Sequence, residues 1–153
     1  MNKPILLIAN NTQLFRNFQK TFTAIDSQTP VIYVKEVAEA VDYFVGEGIY
    51  DNRNLYPLPK IVFLDLNLSE GLGLNFLEWL KEQAEFKDIA FVGITESLNH
   101  EYKQIFSNYG LDFLIDLPLR EKLFLKLIQS VYDNLTKKQF VILPNLLCNS
   151  VSN

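Results

Sequence analysis

Ile61-Val62-Phe63-Leu64-Asp65-Leu66-Asn67-Leu68-Ser69-Glu70-Gly71-Leu72-Gly73 is the stretch on which the fold turns. Four consecutive apolar residues cut off by a carboxylate read as a strand buried on both faces, with Asp65 at its carboxyl edge. A polar turn containing Gly71 and Gly73 then leads into Phe76, Leu77, Leu80 and Ala84, which recur at helical spacing.

The same alternation extends in both directions. Upstream, Ile5 to Ala9 is an apolar run ended by Asn10-Asn11-Thr12, and Leu14, Phe15, Phe18 and Phe22 form the stripe of a helix. Val31 to Val34 is a β-rich run followed by Val37, Val41, Phe44 and Val45, and the segment from Gly46 to Pro59 reads as a long loop. Downstream, Ile89 to Ile94 is a fourth strand closed by Thr95. Tyr102, Ile105, Phe106 and Tyr109 mark the following helix, stopped by Gly110. Phe113-Leu114-Ile115 is a fifth strand, and Phe124, Leu127, Ile128, Val131 and Leu135 make a last amphipathic helix. Strands that alternate with helices imply a parallel sheet, because parallel neighbours need crossover connections. The expected class is α/β, a doubly wound five-stranded sheet.

The 153 residues amount to one domain, expected over residues 1–135, with residues 136–153 as a C-terminal tail or added edge strand. In that tail Phe140-Val141-Ile142-Leu143-Pro144 is the run that would pair, dock on a partner or pack loosely. Apolar residues make up 48% and charged residues 21%, which excludes disordered and fibrous classes. A net charge of −4 argues against nucleic acid as the main partner. Cys148 and His100 are each the sole residue of their type, so neither an internal disulfide nor a Cys/His zinc site is expected. The apolar start is too short for a signal peptide and no run is long enough to span a membrane, so a cytoplasmic location is expected.

In open α/β sheets ligands bind beyond the carboxyl ends of the strands. That rule selects Asn10, Asn11, Asp65, Asn67, Thr95 and Asp116. Asp65 has the placement of a nucleophile or metal ligand, since a carboxylate can be phosphorylated to an acyl phosphate when a divalent cation shields the two anions. Taken alone it reads as simply as a turn cap. Thr95, one strand over, has a hydroxyl suited to a phosphoryl oxygen, although a β-former ending a strand explains it equally well.

Four motifs carry a family resemblance. They are Pro4 through Asn11, Asp65 through Gly73, Gly93-Ile94-Thr95, and Gly110-Leu111-Asp112-Phe113 through Pro118. Over residues 3–135 the chain resembles the receiver domain of two-component response regulators, the CheY-like superfamily with a flavodoxin-like fold. The resemblance implies strand order 2-1-3-4-5. It implies Asp65 as phosphoacceptor with Thr95 beside it, and Asn10, Asp65 and Asn67 at the metal position, Asn67 through its carbonyl.

The departures are equally specific. Receivers carry two adjacent acids after the first strand to bind magnesium, and Ala9 and Asn10 stand there. The phosphoryl-binding lysine corresponds to Leu117, the aromatic switch residue to Leu114 with Phe113 adjacent, and Ser69 replaces a proline. The expectation is a degenerate, pseudo-receiver module in which magnesium binding is weak or absent and phosphorylation at Asp65 likewise. The alternative is a functional phosphoaspartate-gated single-domain response regulator. The partner expected is a protein, a histidine kinase or a downstream signalling protein. Receivers dock and dimerise through the face of their fourth helix, fifth strand and fifth helix, here residues 99–135. Arg120, Lys122 and Lys126 decorate the last helix of that face, and read most simply as its solvated side.

An enzyme is not expected. A phosphoaspartyl hydrolase would need an acid two residues after Asp65, where Asn67 cannot shuttle a proton. The turn after the first strand lacks the glycines of a nucleotide-binding loop.

Overall fold

The computed structural model describes residues 3–68, 72–96, 108–116, 121–137 and 146–148. The apolar runs become strands: β1 (Ile5–Ile8), β2 (Val31–Val34), β3 (Ile61–Asp65), β4 (Ala90–Thr95) and β5 (Phe113–Asp116). Helices α1 (Thr12–Ile25), α2 (Val37–Val45), α3 (Leu72–Lys81) and α4 (Glu121–Lys137) occupy the expected stripes. The five strands pair in parallel in the order β2-β1-β3-β4-β5, as the resemblance implied.

A sixth strand, β6 (Leu146–Cys148), pairs antiparallel with β5 and adds an edge to the five parallel strands. The tail segment that pairs is thus 146–148, whereas Phe140–Pro144 lies outside the described residues. Other boundaries move as well. Gly73 lies within the first turn of α3 rather than in the preceding turn. That helix stops at Lys81, and Ala84 opens a separate 3-10 turn, Ala84–Phe86. Lys137 rather than Leu135 ends α4. The helix expected around Tyr102, Ile105 and Phe106 lies outside the described residues.

Side chains alternate across the sheet and divide the core in two. Leu6, Ile8, Val62, Leu64, Phe91 and Leu114 pack under α2 and α3. Ile5, Leu7, Phe63, Val92, Ile94 and Ile115 pack under α1 and α4. Phe18 of α1 anchors the second layer, edge-on to Phe63 (4.7 Å) and to Phe124 of α4 (5.3 Å). Each such buried aromatic stabilises the fold by roughly 1.5–3 kcal/mol relative to leaving it exposed. Gly93 is a glycine for a packing reason: a Cβ there would sit 2.9 Å from Leu111 Cδ1 and 3.1 Å from Leu114 Cδ1 and Leu66 Cδ1.

Two polar knots lock the periphery. The Gly46–Pro59 loop is braced by Arg53, which donates to the carbonyls of Tyr43 (2.6 Å), Phe44 (2.6 Å) and Tyr56 (3.1 Å). The first two are carbonyls left open at the end of α2, where Gly46 adopts the left-handed conformation (φ 77°) that stops the helix. At the same, amino edge of the sheet, Tyr132 of α4 donates to Asp26 (2.9 Å) and accepts from Lys60 Nζ (2.6 Å). Thr29 closes the knot, donating to Asp26 (2.8 Å) and accepting from Lys60 (3.2 Å).

Candidate functional site

Parallel register brings the selected residues to one rim. Ile8 lies beside Leu64, Asp65 beside Ile94, and Thr95 beside Asp116. Asn10 follows β1 at the same level, and Asn67 sits in the turn after β3. The rim is shared, but the faces differ. Asp65 pairs with Ile94, which packs on the α1/α4 side, so strand alternation starts Thr95 and Asp116 on the opposite face.

Asp65 is half-buried, and its Oδ1 accepts the Asn67 N–H at 2.9 Å. This local turn holds the carboxylate at the strand end and leaves Oδ2 as its second acceptor. Burial pushes the Asp65 carboxyl above its ordinary range, the Asn67 N–H pulls it back, and the negative charge of Glu96 pushes it up again. Thr95 is fully buried. Asn10 and Asn67 are exposed, and Asp116 is half-buried.

Asn11 serves the backbone. It caps α1, its Oδ1 accepting the Leu14 N–H at 3.0 Å, while its own N–H donates to the Tyr33 hydroxyl at 2.9 Å. Ala9 is wholly buried in the α1/α4 core and offers no ligand. Leu114 is buried in the layer beneath α3 and Phe113 in the other, so neither is an exposed ring at the rim. Leu117, at the position implied for the lysine, lies outside the described residues, as do Ser69, Glu70 and Gly71.

Two residues escaped the sequence reading. Glu96 directly follows Thr95 and was legible as an acid at a strand end. Tyr33 gave no such signal, because its partners Asn11 and Phe15 are remote in sequence.

A hard divalent cation seeks oxygen donors, preferably charged ones. Among the described residues the oxygen donors of this rim are the Asp65 carboxylate, one oxygen of which accepts the Asn67 N–H, the neutral amide of Asn10, the Asn67 carbonyl, and the carboxylates of Glu96, whose charge reaches Asp65, and Asp116. Among the described residues no three His, Cys, Asp or Glu side chains gather to hold a metal.

No family profile matches the chain. Over 109 residues it is 27% identical to the response regulator Rcp1 of Synechocystis sp. (strain ATCC 27184 / PCC 6803 / Kazusa), a match covering 71% of each protein. The fold is that of the Mn(2+)-bound form of response regulator Rcp1, with a TM-score of 0.74, 24% identity, and 94% of this chain and 99% of that one covered. The phosphorylated cyanobacterial phytochrome response regulator RcpA is similarly close, with a TM-score of 0.79, 21% identity and coverage of 92% and 98%.

Proposed function

We propose that the chain, which has the fold of response regulators and is similar in sequence to one of them, is a receiver domain of the CheY-like kind in two-component signalling, and that it acts chiefly as a docking module in which phosphorylation at Asp65 is weak or absent. The observation that carries this reading is the lack of an acid at either position directly after β1. Asp65 stands at the rim with Ala9 buried and Asn10 neutral where the resemblance implies two acids.

Magnitudes support the reading. Two unit charges about 4 Å apart interact by roughly 4 kcal/mol at an effective dielectric of about 20. Losing carboxylates opposite a divalent ion therefore removes several kcal/mol of gross attraction, and magnesium affinity falls by orders of magnitude. A leucine in place of the phosphoryl-binding lysine removes a further charge-assisted hydrogen bond, worth about 1.5–3 kcal/mol. On this reading the module is not an enzyme. It works in the cytosol on a protein partner, a histidine kinase or a downstream signalling protein, rather than on nucleic acid. Residues 99–135 are the face proposed for that partner or for a second copy. Among the described residues no helix is long and apolar enough to cross a membrane.

A second reading is favoured by the survival of Asp65 and Thr95 on neighbouring strands, and by two similar proteins described as phosphorylated and as Mn(2+)-bound. In it the module is gated by phosphoaspartate. Incubation with acetyl phosphate and magnesium, followed by intact mass, decides between them. The docking reading expects substoichiometric mass gain or none, and beryllofluoride should leave amide shifts over 108–135 unchanged. A stoichiometric adduct lost in Asp65→Asn establishes the gated switch instead.

A further inference from the structure

Among the described residues the exposed large apolar side chains fall in two places: Val45, Ile49 and Leu55 between the end of α2 and β3, and Leu123 and Leu125 on α4. The first group is held out by an ordered frame. Gly46 and Gly48 both adopt the left-handed conformation (φ 77° and 61°) and lead the chain into a 3-10 turn, Gly48–Tyr50. Tyr50 faces inward, its ring centroid 5.0 Å from those of Tyr43 and Tyr56, and its hydroxyl donates to Glu39 at 2.8 Å. Ile49 beside it is 72% exposed, and an exposed carboxylate stands two residues away on each side, Glu47 and Asp51. The result is a fixed apolar knob between two negative charges.

Leu125 of the second group lines a groove. Between α1 and α4 lies a cavity of about 360 Å³ whose walls include the apolar Ala24, Phe124 and Leu125 and the exposed lysines Lys20 and Lys122. Helix α1 contributes Arg16 and Lys20 and no acid, so this face is basic on a chain whose net charge is −4. Knob and groove match in character and in sign: an aliphatic side chain for an apolar floor, two carboxylates for two ammonium groups. They also belong to opposite sides of the sheet, Tyr50 to the layer under α2 and α3 and Phe124 to the layer under α1 and α4, so a chain does not fill its own groove. We infer that the occupant of the groove is a second copy of this chain, which inserts Ile49 between Lys20 and Lys122 and sets Glu47 and Asp51 against their ammonium groups. Such a contact runs head to tail, and leaves a knob at one end and a groove at the other for further copies. The inference rests on the docking reading, whose partner face at residues 99–135 includes Lys122, Phe124 and Leu125, and it commits that part of the face to self-association.

The test is sedimentation velocity of the full chain over a range of concentrations. Mass should rise with concentration beyond two copies, and should fall back toward one copy in about 1 M salt, where the screening length is only about 3 Å. Ile49→Ser spoils the knob, and Lys20→Glu combined with Lys122→Glu spoils the groove; each variant alone should remain a single copy. An equimolar mixture of the two should form one-to-one pairs and nothing larger, because one supplies the only sound groove and the other the only sound knob. Misfolded variants would not pair in this way. Wild type that stays a single copy throughout overturns the proposal, as does association that persists in Ile49→Ser, or a mixture that does not pair. These measurements use no phosphate donor. A stoichiometric acetyl phosphate adduct would therefore sink the docking reading, while the contact between copies stands or falls on the variants.

Discussion

At Asp65 the surroundings work against the charge. Its carboxyl is raised from 3.8, first by burial and further by Glu96. A carboxyl whose folded-state pKa lies above its unfolded value makes ionisation costly to the fold. The cost is absent well below the unfolded value and complete above the folded one. Asp65→Asn keeps an oxygen for the Asn67 N–H and should raise the urea midpoint at neutral pH, with the gain vanishing as pH falls below the ordinary carboxyl range. Glu96→Gln should lower the Asp65 pKa in a carbon-13 carboxyl titration; no movement would show that Glu96 does not act on it. Asp65 and Thr95 could be singled out from where apolar runs stop. The burial of Thr95 and the opposite faces of the two residues could not, since both follow from which strands pair and in what register.

Elements differ in how far local pattern decides them. The stripe of α1 and the runs of β1 and β3 are periodic enough to be read directly, because burial on a known face leaves its spacing in the sequence. The Gly46–Pro59 segment has no period, so it reads as loop. Its order comes from Arg53 reaching back to carbonyls whose positions exist only once α2 has formed. Arg53→Met should therefore cost about 2 kcal/mol, by the value of hydrogen bonds to charged groups, and should raise amide exchange selectively over residues 46–59. Likewise the pairing of Leu146–Cys148 depends on the open side of β5, a partner that no local pattern in those three residues announces. At Gly93 the constraint is steric. Gly93→Ala must displace Leu111, Leu114 or Leu66, and should lower stability by about 1–3 kcal/mol, the range for overpacking a core, as checked by urea denaturation.

Across the whole molecule, chemistry and anchorage lie at opposite edges of the sheet. The strand order that separates them was implied by resemblance to a family, while the amino-edge knot joins residues as far apart as Asp26 and Tyr132 and leaves no local trace. Hydrogen bonds from Thr29 and Tyr132 hold the Asp26 carboxyl below its ordinary range. A depressed carboxyl contributes stability that is present above the unfolded value of 3.8 and lost as pH falls through the folded one. Urea midpoints measured from neutral pH into acid should show this loss in wild type and a flatter profile in Asp26→Asn; identical profiles would remove Asp26 from the acid response. The knot also dictates how α4 can move. Tyr132 moors the helix near the amino edge, and the stretch back to Glu121 spans roughly 16 Å at about 1.5 Å per residue. A push on the near end is thereby turned into a swing about a fixed pivot. A tilt of only about 5° would carry that end through roughly 1–2 Å, a distance typical of helix shifts that repack an interface.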